Sequence, residues 1–195
     1  FSPDADENLV AGTDAGKCLN GTSGCFNTLI GKEAGKCISS GFSNVMIGCG
    51  AAKIATTGGY NIVFGHNAGC RVTTGHTNVF LGYYAGIGAS SSGVTGHNNI
   101  AIGCKALSEK VTTACYNIAL GAHAGMCVST GNYNINLGYN AGCNNVDAQC
   151  NVAIGYKAGS FNGTGDYNVY LGSEAGQGTS SGTPATDNTG GKNIA

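Results

Sequence analysis

Two histidine–cysteine pairs share a spacing, His66-x-x-x-Cys70 and His123-x-x-x-Cys127. Imidazole and thiolate are both ligands for zinc-like metals. A separation of four residues gathers two side chains on a helix but not on extended backbone. No further ligands fall into line with either pair, so no metal site is expected. Asp4-x-Asp6-x-Asn8 resembles the start of a calcium loop, but the glycine and the distal glutamate of that pattern are missing. It reads instead as a polar N-terminal cap. There is no nucleophile elbow, histidine–carboxylate constellation or phosphate loop, and the expectation is a protein that is not an enzyme and has no cofactor.

Ten cysteines in 195 residues favour an oxidising, extracellular setting. Cys18 and Cys25, or Cys143 and Cys150, are seven residues apart and suit a staple within one loop; Cys25 and Cys37, or Cys115 and Cys127, are twelve apart and suit a bridge between neighbouring loops. The two schemes compete for Cys25, and spacing does not choose between them. Cys49 and Cys104 occupy a separate column too far apart to bond to each other within one straight rod. Asn20-Gly21-Thr22 and Asn162-Gly163-Thr164 are glycosylation sequons, relevant if the source glycosylates.

What positions all of these residues is a repeat. The phrase Asn-(Ile/Val)-x-(Ile/Leu/Phe)-Gly-x-x-Ala-Gly recurs with anchors at Asn8, Asn27, Asn44, Asn61, Asn78, Asn99, Asn117, Asn134, Asn151 and Asn168, most often 17 residues apart. Units this short cannot bury a core alone and must stack on their neighbours. The expected fold is all-β, a parallel β-solenoid or β-roll of about ten coils. Residues 1–7 are a cap or junction, 8–176 the repeats, and 177–195 a Gly/Ser/Thr-rich loop with a partial final coil.

Within a coil, Asn61-Ile62-Val63-Phe64-Gly65 alternates as a short strand does. Ile62 and Phe64, with their equivalents, are expected to form the interior. The Val63 column is then outward, and because it is mostly apolar it is expected to be covered by another chain, the alternative being an outer face that tolerates scattered hydrophobes. Gly and Ala-Gly mark a corner for small residues; Ala51-Ala52 and Ala106-Leu107 depart from the pattern and should distort it. Ile38, Val72, Val111 and Val128 are further inward candidates. The anchors from Asn27 to Asn168 are expected either to form a hydrogen-bonded amide ladder along the stack or to be turn residues with left-handed backbone angles. Gly88–Gly93 and the tract from Gln177 to Gly190 should loop out from the stack.

Composition narrows the partners. Only 10% of residues are charged and the net charge is −1, which gives no footprint for nucleic acid. No apolar run approaches the ~20 residues that a spanning helix needs, so no membrane insertion is expected.

Asn151-Val152-Ala153-Ile154-Gly155 and Asn117-Ile118-Ala119-Leu120-Gly121 resemble the head repeats of trimeric autotransporter adhesins. The longer unit from Thr164 to Gly176 is similar to repeats of bacteriophage tail fibres and bacterial surface fibres. The resemblance covers residues 8–176 and implies a β-roll or β-solenoid, often trimeric, that serves as a rigid spacer or adhesive. This chain departs from it in its cysteines, its 17-residue period and the lack of a coiled-coil stalk, membrane anchor or C-terminal chaperone.

The functional expectation is an extracellular structural fibre or filament subunit, with the chain itself as partner. Asn193-Ile194-Ala195 begins another repeat, and would offer an edge for head-to-tail stacking. The alternative is an adhesin that binds a cell-surface glycan through the inserted loops and Tyr83/Tyr84. Less favoured is an ice-binding rod, because the threonine pairs alternate with serine and valine and sit at a bend.

Overall fold

A computed structural model describes residues 6–20, 23–88, 93–109, 113–161 and 164–177. It is all β. Ten strands of three residues form one sheet in chain order: β1 Leu9–Ala11, β2 Thr28–Ile30, β3 Val45–Ile47, β4 Ile62–Phe64, β5 Val79–Leu81, β6 Ile100–Ile102, β7 Ile118–Leu120, β8 Ile135–Leu137, β9 Val152–Ile154 and β10 Val169–Leu171. Every pair is parallel and in register with the repeat, as in Ile62↔Val79, Val63↔Phe80 and Phe64↔Leu81. The result is a β-solenoid of about nine turns with a period of about 17 residues.

Three-residue strands are short, and the coil closes because its backbone turns left-handed four times per repeat. In the fourth coil these positions are Tyr60 (φ 59°), Gly65 (φ 130°), Asn67 (φ 52°) and Gly69 (φ 53°). Gly65 is obligatory for a second reason: a Cβ there would lie 2.6 Å from the carbonyl oxygen of Gly82 in the next coil. A left-handed Tyr60 is uncommon for a bulky residue. It is held by its neighbours, since its N–H donates to the Phe42 carbonyl and the next amide in the chain, that of Asn61, donates to the Asn44 side chain.

The structure inverts the expected sidedness of the strands. Val63, Phe80, Ala101 and Tyr170, the middle residues, are fully buried, whereas Ile62 (43% exposed) and Phe64 (39%) face outward. The Val63 column is therefore apolar because it is the core, and no covering chain is needed to explain it. Alternation fixes only that Ile62 and Phe64 share a side. The side itself follows from the buried asparagines, because Asn61 lies two residues before Val63 and shares its face.

Inside, the middle strand residues pack with the corner alanines, such as Ala68 and Ala124, and with Ile38, Val72 and Val128. Val111 and the turn residue Thr112 lie outside the described residues. The corner is not distorted where its sequence departs. Ala52 (φ 45°) and Leu107 (φ 47°) adopt the left-handed conformation that glycine supplies elsewhere, and their amides donate to Ala68 and Ala124 in the same ladder. After the insertion in the fifth coil, Val94 bridges to Val72 in parallel and the stack resumes.

Coil 8 carries a polar defect in this core. Asn136 replaces the apolar middle residue and Asn145 stands where coil 7 has Val128; both are fully buried, and neither side chain has a hydrogen-bond partner among the described residues.

Candidate functional site

Two features run the length of the rod. The first is internal. The Oδ1 of Asn61 accepts from the backbone N–H (2.9 Å) and the Nδ2 (3.1 Å) of Asn78, while the Nδ2 of Asn61 donates to Oδ1 of Asn44 (3.0 Å) and to the carbonyl of Gly75 (2.8 Å). The same donation to the preceding side chain repeats from Asn27 through Asn44, Asn61, Asn78, Asn99, Asn117, Asn134 and Asn151, and the Asn168 amide donates to Asn151. Each side chain thus ties the strand of one coil to the turn of another. None of these asparagines has a left-handed backbone; that conformation belongs to the residue just before, for instance Tyr116 or Tyr133. The Oδ1 of Asn8 is committed to Asn27, where a calcium loop would direct it to a metal.

The second feature is external and was missed by sequence reasoning. The first and third residues of all ten strands form two parallel columns on the outer face of the sheet, aliphatic or aromatic except at Thr28. Exposed aromatic side chains recur in the two mixed columns that flank them: Tyr60, Tyr116 and Tyr133 precede the asparagines, and Tyr83, Tyr139 and Tyr156 follow the glycine that ends the strand. Tyr116 and Tyr133 stack with ring centres 5.0 Å apart and planes within 6°, and Tyr139 and Tyr156 stack at 5.7 Å. The missed signal was the uniform size of the outer columns. Exposed neighbours need only match each other, while core side chains vary from Ala to Tyr because each must fit its own corner.

The cysteines are all free thiols. The ladder sets further pairs of neighbours beside those two spacing schemes. Cys18 donates its amide to Lys36, which puts Cys18 directly opposite Cys37 on the next coil, and Cys127 donates to the Cys143 carbonyl at 2.8 Å. Cys18, Cys49 and Cys104 are exposed, and Cys25, Cys115 and Cys150 are half-buried. Cys127 and Cys143 are buried, and burial, reinforced by the neighbouring Cys127 thiol, pushes Cys143 up to about 11.

The histidine–cysteine pairs are not brought together as ligands. His66 stacks on Tyr83 at 5.6 Å, His123 Nδ1 meets the Met126 sulfur at 3.0 Å, and the Cys127 thiol points to Glu109 at 3.6 Å. Among the described residues no three His, Cys, Asp or Glu side chains cluster as a metal site would require. Of the sequons, Asn20 is exposed and its Oδ1 accepts from the Ser23 hydroxyl; Asn162 lies outside the described residues, as do Asn193, Ile194 and Ala195.

An open depression of about 560 Å³ adjoins the fifth-coil insertion, lined by Arg71, Tyr83, Tyr84, Gly88, Lys105 and Glu109 among others. Arg71 is fixed there by donation to the Gly88 carbonyl at 3.2 Å. The Ser39, Thr56 and Thr73 hydroxyls each donate to a carbonyl of the following coil, so this column is committed to the ladder.

A second surface ladder carries charge. Asp14 pairs with Lys17 and Lys36, and Glu33 pairs with Lys36 and Lys53, linking the first three coils. The hydrogen bonds from Lys36 and Lys53 hold the Glu33 carboxyl down at about 2.

No family model, no curated protein and no solved structure matches this chain.

Proposed function

We propose that this chain is a non-enzymatic structural element of an extracellular fibre, a stiff rod that associates with copies of itself. The observation that carries the proposal is the unbroken ladder. Ten strands pair in register, and a buried amide in each coil is bonded to the next, so bending or extending the rod breaks hydrogen bonds at every level. With ~4.8 Å between strands, the described stack is about 43 Å long. The ten cysteines and the Asn20 sequon are consistent with an extracellular setting.

Head-to-tail growth would continue this ladder. In every inner strand the first residue donates its N–H to the asparagine carbonyl of the following coil, as Ile62 does to Asn78, and Val169 holds that position in β10. Electron microscopy of the purified chain tests the reading: filaments or end-to-end rods are expected. Val169→Pro, which removes the donor, should shorten them. Isolated particles at every concentration would exclude axial assembly.

A second reading is favoured by the depression beside Tyr83 and Tyr84. The exposed Tyr83 ring and the half-buried Tyr84, next to arginine, lysine and glutamate, suit a sugar, which offers C–H faces for the rings and hydroxyls for the charges. Glycan-array binding lost on Tyr83→Ala and Arg71→Ala would support an adhesin; unchanged binding would remove that site.

A further inference from the structure

We infer that the outer face of the ten-stranded sheet is a two-fold interface that takes a second copy of this chain, sheet against sheet. Its chemistry is that of a contact surface. None of the strand residues is charged. Among the large hydrophobic side chains exposed on the described residues, Ile54 alone lies off the four columns defined by Tyr60, Ile62, Phe64 and Tyr83. The rest of the described surface is made of polar turns, the charged ladder of Asp14, Glu33 and their lysines, and separate charged side chains such as Arg71, Lys105, Glu109 and Lys157.

The extent also fits. Nine intervals of ~4.8 Å give about 43 Å of length, and a three-residue strand with a flanking column on each side, tyrosine at some levels and residues such as Lys32, Thr77 or Asn98 at others, is about 20 Å wide, for a face on the order of 850 Å². A standard stable interface takes ~800 Å² from each partner, with aromatic residues enriched and charges depleted in its core.

Spacing identifies the occupant. The columns repeat once per coil, so their ridges and grooves are commensurate with another ladder of the same repeat. A second copy seats Ile and Leu side chains between those of the first at every level, as stacked sheets do at a separation of ~10 Å. A surface lacking this period would match at a few levels only.

Symmetry follows from there being one such face among the described residues. A closed trimer needs two different complementary surfaces on each chain, whereas a single self-complementary face closes as a dimer. The geometry therefore favours a two-fold pair over the threefold head implied by the sequence resemblance. The inference shares with the fibre reading only the idea of self-association. Axial stacking uses the sheet edges and lateral pairing uses the sheet face, so each can fail without the other.

Sedimentation equilibrium on the full chain tests it. At dilutions where no end-to-end rods are present, the expected mass is twice the 19.4 kDa of one chain, and the joint substitution Ile62→Lys with Ile118→Lys should give monomer while the circular dichroism of the fold is retained. If the lysines disturb the strands, Ile62→Thr with Ile118→Thr keeps β-branched residues and should still weaken pairing by about tenfold or more. A wild-type chain that is monomeric at ~100 µM, a trimeric mass, or a lysine variant that stays dimeric would each overturn the inference. So would a monomer that instead partitions onto phosphatidylcholine vesicles, which would assign the face to lipid.

Discussion

The Cδ2 methyl of Leu107 lies over Gly125 so closely that a Cβ added to that glycine would sit 2.8 Å from it. Leu107 occupies in coil 6 the corner that Gly125 occupies in coil 7, and the strand residues beside it, Ala101 and Ala119, are with Ala153 the smallest in their column. Elsewhere the arrangement reverses: a Cβ at Gly86 would meet the Phe80 ring at 2.5 Å, and one at Gly176 would strike the Tyr170 ring. Corner and strand share one volume, and each coil fills it from one side or the other. Leu107→Ala should therefore open a cavity and cost about 2–4 kcal/mol by urea unfolding. Gly86→Ala should also destabilise, and Phe80→Ala should reduce that cost in a double-mutant cycle.

The amide ladder makes a second prediction. Asn61→Ala leaves the backbone N–H of Asn78 and the Gly75 carbonyl without their partner inside the rod. Each buried orphan costs about 1–3 kcal/mol, so a loss of about 2–5 kcal/mol is expected in chemical denaturation. A loss below about 1 kcal/mol would show that water replaces the amide.

The defect in coil 8 predicts the opposite sign. Asn136 and Asn145 are buried without partners, whereas coil 7 places Ala119 and Val128 at these positions. Asn136→Ala with Asn145→Val should raise stability by about 1–3 kcal/mol and raise the melting temperature.

Acid should act on the charged ladder. The Glu33 carboxyl is depressed to about 2 by hydrogen bonds from Lys36 and Lys53, and Asp14 is lowered below its usual range by Lys17 and Lys36. Both folded values lie below the unfolded ones, so the stabilisation is present above the unfolded carboxylate range. It is lost as pH falls through the folded values. NMR titration should show Glu33 protonating near pH 2 at low salt, and high salt should move it toward ordinary carboxylates. These pairs lie at the surface, so the effect on unfolding should be small.

Thiol chemistry should follow burial. Iodoacetamide at about pH 8 should label Cys18, Cys49 and Cys104 before Cys127 and Cys143, since it is the thiolate that attacks and burial disfavours it. With glutathione disulfide as oxidant, Cys18 and Cys37 should join each other, their two thiols giving up two protons and two electrons as the oxidant becomes two glutathione thiols. In-register residues on adjacent coils lie ~4.8 Å apart, within disulfide range. Peptide mapping that instead finds Cys18 joined to Cys25 would contradict the register.

Much of the molecule was legible as a pattern. The seventeen-residue recurrence of Asn61, Asn78 and their equivalents sets which side chains stack, because a unit too short to enclose a core has only its neighbours to pack against. Period-two alternation likewise placed Ile62 and Phe64 on a common side. Neither could say which side was inside, since both columns are apolar and hydrophobicity alone does not break the tie. Only the closed coil decided it: the buried amide of Asn61 must reach Asn44 and Gly75 across the interior, and Val63 shares its face. Cys18 and Cys37 already share a register in the repeat, and the ladder sets them on facing coils, because contacts between coils follow register and not how many residues separate two thiols.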